Sequence, residues 1–266
     1  MGHYYEKTKD GDVLPRHYVE MATRPGEMRP TRITDVRRMW GDNRAVVPSV
    51  TTVMDVLGKP ALQNWKIDRH LESAWQILLD TNKYSFDTSL KYMNEVKRQT
   101  EIAMDAAPKA GTDFHNSIEL YFNGELDKGH EHYKLCEKVQ AEIMEKTGCT
   151  SEAIFNTEVS FVDGGYGGQC DLHVSDVHED WIIDFKTKQT ADKFKPRKMV
   201  YDEHYMQLSA YSKAIIGDID RSANVFVCLE NDAIDFHEHK KEDLIKGWMM
   251  FDCCLELWNL KNRSVK

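Results

Sequence analysis

Two acids and a lysine set the chemistry that this sequence could carry. Asp171 lies in the run Gln-Cys-Asp-Leu-His-Val from 169, and Asp184 lies in Trp-Ile-Ile-Asp-Phe-Lys-Thr from 181, two residues before Lys186. Both runs read as β-strands, in which successive side chains alternate faces. Asp184 and Lys186 therefore share one face while Phe185 turns to the core. Antiparallel pairing through the turn Val177-His-Glu-Asp180 brings Asp171 onto that same face. Converging carboxylates repel unless positive charge lies between them. A hard divalent cation, Mg2+ or Mn2+, meets that need, and Lys186 would then orient or deprotonate a water and stabilise charge on a phosphate. Such a set suits phosphodiester hydrolysis. The plainer alternative is a pair of surface acids with Lys186 paired to one of them, and spacing alone does not choose.

The elements that must position these residues follow from periodicity. Residues 1–47 are rich in Arg, Pro and Gly and weakly periodic, which predicts an extended arm with at most a short hairpin. From Ser49 the apolar residues Val50, Val53, Met54 and Leu57 recur at helical spacing. Pro60 opens a second helix to about Asp80, and a third covers roughly 88–106 and stops near Pro108. Thr112 then caps a new helix with Phe114, Ile118 and Tyr121 on its apolar face. Another helix spans 130–147. The period next changes to two: 157–163, 169–176 and 181–187 read as a three-strand meander turning at Gly164-Gly165-Tyr-Gly-Gly168 and at 177–180. A helix at 201–217, strands at 224–229 and 233–237, and a last helix at 241–261 complete the chain. Leu244, Trp248, Phe251, Leu255 and Trp258 form an apolar face of that last helix. The order predicts an α/β fold, a mixed central sheet flanked by helices.

Composition bounds the rest. Hydrophobic residues make up 41% of the 266 and charged residues 30%, the profile of a globular protein. No stretch is apolar enough to span a membrane, no signal-type N-terminus is present, and the six cysteines form no CxxC pair, so reduced thiols in a cytoplasmic protein are expected. The formal net charge of −9 argues against a nucleic-acid partner at first sight. Distribution matters more than the sum. Arginines 16, 24, 29, 32, 37, 38 and 44 crowd the N-terminal segment, and Lys186, Lys188, Lys193, Lys195, Arg197 and Lys198 form a second basic run. A solvated mixed surface remains the competing reading of both.

Several short motifs in one order add a resemblance. Gly168-Gln-Cys-Asp171, then Asp184-Phe-Lys186, then Gln207-Leu-Ser-Ala-Tyr211 resemble the G-x-x-D, D-x-K and Q-x-x-x-Y elements of the RecB-like branch of the PD-(D/E)XK nuclease superfamily. Gly111-Thr-Asp-Phe-His115 is similar to that branch's helix-borne histidine. Pro48-Ser-Val-Thr-Thr52, with Lys59-Pro60 and Trp65, resembles the opening of phage exonucleases and of the mitochondrial genome-maintenance exonuclease; Gly26-Glu-Met-Arg-Pro30 does so more mildly. The resemblance covers roughly 26–70 and 108–215.

It implies a restriction-endonuclease-like core at 108–266, a helical region at 48–107 over the active-site cleft and compact with it, and an arm at 1–47. Asp171, Asp184, His115 and the Phe185 carbonyl would hold one or two Mg2+ or Mn2+ ions, with Glu158 matching an acidic position some members use near the metal. Lys186 would be the catalytic lysine, oriented with the metal waters or DNA backbone by Gln207 and Tyr211. Ser49, Thr51, Thr52, Trp65 and Lys188 would meet DNA, and Trp40, Trp65 and Tyr166 would stack on unpaired bases at a strand end. The implied activity is phage-type exonucleolytic hydrolysis of linear DNA, single- or double-stranded, in degradation, recombination or repair. An endonuclease of the same fold and a non-catalytic DNA-binding recombination partner are the rivals, and homo-oligomerisation stays open.

Two departures matter. Phe185 stands where some relatives carry an acid, removing one carboxylate from the metal site. Cys253 and Cys254 lack the spaced triplet of relatives with an iron–sulfur centre, so no such cluster is expected. Ordinary structural roles compete with the functional ones: His115 as a helix-packing residue, Glu158 as a strand-edge acid, Gln207 as a cap, Ser49 and Thr52 as an N-cap. His130-Glu-His132 and His237-Glu-His239 have no partner set and read as surface coincidences. Metal binding needs ionised carboxylates and a neutral His115, so activity is expected to fall below about pH 6.5. A pH–rate profile checks this, and full activity at pH 5 would count against His115 as a ligand.

Overall fold

The computed structural model describes residues 3–21, 24–80, 89–195, 198–219 and 221–263. Its centre is the predicted meander, extended at both ends by a few residues: β6 (Ile154–Asp163), β7 (Tyr166–Ser175) and β8 (Asp180–Lys188). Gly164 and Gly165 both take positive φ, 51° and 91°, the two-residue turn whose twist matches an antiparallel hairpin. α6 (Asp202–Ile215) then crosses over so that β9 (Arg221–Cys228) joins β8 in parallel, and β10 (Ile234–Glu238) returns antiparallel to β9. The result is one mixed five-stranded sheet in the order β10-β9-β8-β7-β6. The fold is therefore mixed α/β, as the pattern of periods predicts.

α6 packs on β8 and β9, and α7 (Lys241–Asn262) packs on α6. The α7 face read from the sequence is buried at Leu244, Phe251, Leu255 and Trp258, with Trp248 partly buried against the same core. That core also takes Val50, Val53 and Met54 of α2 (Val50–Met54), Tyr166 and Cys170 of β7, and Ile182 of β8. Fully burying one such large apolar side chain stabilises by roughly 1.5–3 kcal/mol, so this layer holds α6 against the sheet.

The N-terminal segment carries more structure than weak periodicity suggests. β1 (Tyr4–Lys7) pairs with β2 (Val13–Pro15) and with β5 (Ala45–Pro48); β3 (Tyr18–Met21) pairs with β4 (Arg24–Pro30); and α1 (Ile33–Gly41) lies between. Ion pairs supply what apolar patterning lacks. Glu6 takes both Arg16 and Arg44, and its carboxyl is lowered to about 2, chiefly by Arg44. Asp35 takes a bidentate bond from Arg29 at 2.7 and 2.8 Å and accepts from the Arg32 backbone at 2.9 Å, closing the start of α1. Arg16, Arg29 and Arg44 of the N-terminal arginine cluster are thus engaged in partly buried ion pairs.

The chain divides into two compact units, residues 1–57 with 117–266, and Gly58–Asn116. The second unit contains α3 (Pro60–Leu79) and most of α4 (Ser89–Phe122). α4 is one helix, not two: it runs through Pro108, and Thr112 lies in its interior instead of capping a start. An interior proline costs roughly 3 kcal/mol, but helix formers such as Ala103, Ala106, Ala107 and Ala110 surround it and the helix is long. α5 (Tyr133–Thr147) belongs to the first unit and ends, as expected, at Gly148, which adopts the left-handed conformation that glycine tolerates best.

At Gly247 α7 lies close against the α6 backbone. A Cβ there would stand 2.5 Å from the Tyr205 carbonyl carbon and 2.6 Å from its oxygen. Backbone cannot yield as a side-chain tip does, so Gly247→Ala should destabilise by about 1–3 kcal/mol or more. Urea unfolding checks this, and an unchanged midpoint would contradict the close approach.

Candidate active site

The sheet brings the two acids together by register. β7 and β8 pair antiparallel as far as Leu172 opposite Ile183, and one step beyond lie Asp171 and Asp184 on facing strands. At that step the Asp171 carboxylate takes over from the ladder: its Oδ2 accepts from the Phe185 backbone N–H at 2.8 Å. Phe185 itself is buried, as expected of the alternate face. Glu158 is the position skipped between the pairs Thr157–Leu172 and Val159–Cys170, which sets it opposite Asp171 on β6. It lies mid-strand rather than at the strand's start, with φ at 49°, a left-handed conformation uncommon for a residue with a side chain.

Asp184 is almost wholly buried, at 1% exposure. Burying a lone carboxylate costs several kcal/mol, so the group needs charged or hydrogen-bonded company. It has both. Lys186 Nζ stands 2.6 Å from Oδ2, and Asn224 Nδ2 donates to the same oxygen at 2.7 Å. The lysine also reaches Gln207 Oε1, at 3.5 Å. Gln207 in turn donates from Nε2 to the Tyr211 hydroxyl at 2.9 Å, which fixes the amide so that its oxygen faces the lysine. Gln207 and Tyr211 are one helical turn apart on α6, so the helix packed on β8 delivers both to the same place.

Charge at the site is frustrated in the direction a cation would relieve. Burial, then the charge of Asp184, holds the Asp171 carboxyl well above the usual carboxylate range, against the pull of Lys186 and the Phe185 N–H. Burial alone would lower Lys186, yet Asp184 and Asp171 outweigh it and raise the ammonium's pKa. Burial and then Asp184 push the Tyr211 phenol well up, keeping it neutral. Glu158 is raised to about 7 by burial and then by Glu119. Lys188 is lowered by burial and the neighbouring Lys186 and Lys193. On α6, His204 is lowered to about 4 by burial and then Lys186, and so is neutral near pH 7.

Of the other expected site residues, His115 and Trp65 belong to the second compact unit, on α4 and α3. Ser49 caps α2, its Oγ accepting from the Thr52 N–H at 3.1 Å and donating to Thr52 Oγ1 at 2.9 Å. Thr52 Oγ1 also accepts from the His3 N–H and donates to the His3 carbonyl. Both hydroxyls therefore serve the fold, while Thr51 is exposed. Tyr166 does not stack on bases: it is 1% exposed, with its hydroxyl donating to the Ala210 carbonyl. The turn sequence Gly164-Gly165-Tyr-Gly-Gly168 placed it at the hairpin, but the side chain falls on the inward face of β7. Trp40 donates from Nε1 to the Val46 carbonyl and packs edge-on against Trp258. Arg197 lies outside the described residues.

His239 was expected at the surface and is buried, with Nε2 at 2.8 Å from Asn224 Oδ1. Sequence reasoning missed Asn224 as well. Its signal was an Asn inside the apolar run Ala-Asn-Val-Phe-Val, a poor strand former that a central strand tolerates only with partners.

No protein-family model and no curated protein matches the chain. Some solved structures do. One is that of SSO0001, at 16% identity over 47% of this chain and 57% of that one, with a TM-score of 0.26. The present chain thus spans little more than half of that protein. A putative exonuclease from Eubacterium rectale is similar at 15% identity over 57% of this chain and 68% of its own, TM-score 0.39. An alkaline exonuclease from Laribacter hongkongensis is similar at 14% identity over 56% and 84%, TM-score 0.28.

The raised pKa of Glu158 predicts a pH dependence of stability. A carboxyl whose folded pKa lies above its unfolded value of about 4.5 contributes stability below that value and loses it as pH rises through about 7. Between pH 5 and pH 8 in chelator, the melting temperature should fall less in Glu158→Gln than in the parent. Thermal unfolding at the two pH values checks this; equal falls would show Glu158 to be better solvated than its burial implies.

Proposed function

We propose that this protein is a metal-dependent DNA exonuclease that hydrolyses phosphodiester bonds of linear DNA. The observation that carries the reading is the juxtaposition of partly buried Asp171 and Lys186 with buried Asp184 on neighbouring strands, with Gln207 and Tyr211 backing the lysine from α6. These are the residues on which the resemblance to the RecB-like nucleases rests, and they meet although three separate elements carry them.

The donor set fits a hard divalent ion. Oxygen ligands from carboxylates suit Mg2+ or Mn2+, and the burial and then the repulsion from Asp184 that raise the Asp171 carboxyl are both offset by a cation at the carboxylates. Among the described residues no three His, Cys, Asp or Glu side chains are grouped to hold a metal. In this proposal Asp171 and Asp184 are joined by the Phe185 carbonyl and by solvent, with Glu158 as an auxiliary acid. One or two bound ions supply charge on the phosphoryl oxygen and a more acidic water.

The chain's own groups do the rest. Lys186 keeps its proton and presents a positive charge to the phosphate or to the attacking water, held in line by Gln207. Tyr211 stays neutral and anchors Gln207. Lys188, two residues further on the same strand face, extends positive charge along the path of a DNA backbone, and exposed Thr51 adds a hydroxyl. Trp65, 39% exposed, remains the aromatic for stacking on a base.

End-labelled linear single- and double-stranded DNA and a closed circle, each incubated in Mg2+ and in Mn2+, test the reading. Only linear DNA should be degraded. EDTA should abolish the reaction, and Asp184→Asn should lower its rate by at least about a thousandfold, a loss comparable with the roughly 10²–10⁴ that one catalytic side chain contributes. Cleavage of the circle would move the assignment to an endonuclease. Binding without cleavage of any substrate would leave a DNA-binding protein.

A further inference from the structure

Asp184 can serve a cation only if its carboxylate is held in one orientation, and a second side chain besides the lysine holds it. Asn224 lies directly across from Asp184 in the parallel register of β8 and β9, and it is fully buried. Its Nδ2 is 2.7 Å from Asp184 Oδ2 and 3.3 Å from the Asp184 main-chain oxygen. Those acceptors demand that Asn224 turn its NH2 towards Asp184. Its Oδ1 then faces away, 2.8 Å from His239 Nε2. That oxygen only accepts, so His239 must carry a proton on Nε2. His239 Nδ1 is buried and has no hydrogen-bond partner among the described residues, which fits a bare lone pair there, because a buried N–H without an acceptor is costly. The ring is itself held, edge-on to Tyr205 with centroids 5.1 Å apart, while the His239 backbone N–H donates to the Ser222 carbonyl.

We propose that Asn224 and His239 are a positioning pair for Asp184, locking its Oδ2 towards Lys186 and the sheet and leaving Oδ1 for the divalent cation. The proposal rests on the metal-nuclease reading above. Lys186 and Asn224 both use Oδ2, so the orientation of the carboxylate is set from two sides. His239 holds the amide from its other end. Without an Nε2 donor, the Asn224 oxygen is left buried and unpaired, and the amide loses the contact that fixes its place against Asp184. The pair therefore acts through Asp184 and touches no substrate.

Mn2+ titration followed by the paramagnetic resonance of free Mn2+, which needs no turnover, tests the pair. The parent should bind and Asp184→Ala should not. Asn224→Ala and His239→Phe should bind about 10–100-fold more weakly, the range typical of residues that orient a metal ligand. His239→Gln, whose amide can donate as Nε2 does, should stay near the parent. Circular dichroism identifies any variant that fails to fold, and the Gln/Phe comparison at one position survives the loss of Asn224→Ala. DNA cleavage by His239→Phe should recover at saturating Mn2+, a split that general damage to the fold would not give. Imidazole nitrogen shifts in the metal-free parent should show His239 as the Nε2–H tautomer. Parent-like Mn2+ affinity in His239→Phe, or an Nδ1–H tautomer, would overturn the proposal while leaving the metal reading intact. A parent protein that binds no Mn2+ would overturn the metal reading and this proposal with it.

Discussion

A buried carboxylate is the constraint around which this sheet is organised. Asp184 sits in the central strand, where solvation is lost and no water can repay it. Its position demands a cation on one side and an amide on the other, and both demands are met by residues that strand geometry places automatically: Lys186 two residues along the same strand, Asn224 across the parallel register. Asp171 adds a second carboxyl at the point where the β7–β8 ladder ends, and its side chain replaces the ladder by taking the Phe185 N–H. A sheet built for stability alone would place apolar residues at all four positions. Retaining two acids there costs stability, which is the usual mark of a place where chemistry is done.

The layer over that face is rigid in a way that matters for the lysine. Gly168 lies beneath Tyr211, and a Cβ there would come within 2.9 Å of the ring. Tyr211 packs edge-on with Phe161, and Tyr166 is pinned to the α6 backbone. The phenol that anchors Gln207 is thus fixed by core packing on β6 and β7, and the fixation passes through the amide to Lys186. Packing of α7 against α6 holds that helix from behind. Core and site are one mechanical unit, so the glycines of the β7 start serve both.

Charge distribution has a similar double character. The N-terminal arginines look like a nucleic-acid footprint when only their number is counted. In the folded chain Arg16, Arg29 and Arg44 neutralise buried Glu6 and Asp35, tying β1 to the residues that flank β2 and β5 and tying β4 to α1 where apolar patterning is weak. Positive charge near the carboxylates comes instead from Lys186 and Lys188, at the end of β8. A negatively charged protein can present a locally positive strand end, and net charge does not report it.

Local sequence alone determined the elements of the sheet and the helices that flank it, because period two and period 3.6 are properties of neighbouring residues. It also determined that Asp184 and Lys186 share a face while Phe185 turns away. Where a single residue worked against its neighbours, the sequence misled: Pro108 marked a break, yet α4 continues through it because a long helix absorbs one defect. Tertiary structure alone decided what depends on residues far apart in the chain. The acids of β7 and β8 meet through pairing register, Gln207 reaches Lys186 through the packing of α6, and Tyr166 goes inward because the hairpin presents that face to α6. Asn224 and His239 became visible only when the crossover laid β9 beside β8. Their roles arise from hydrogen bonds across the sheet, and such bonds have no spacing in sequence to betray them.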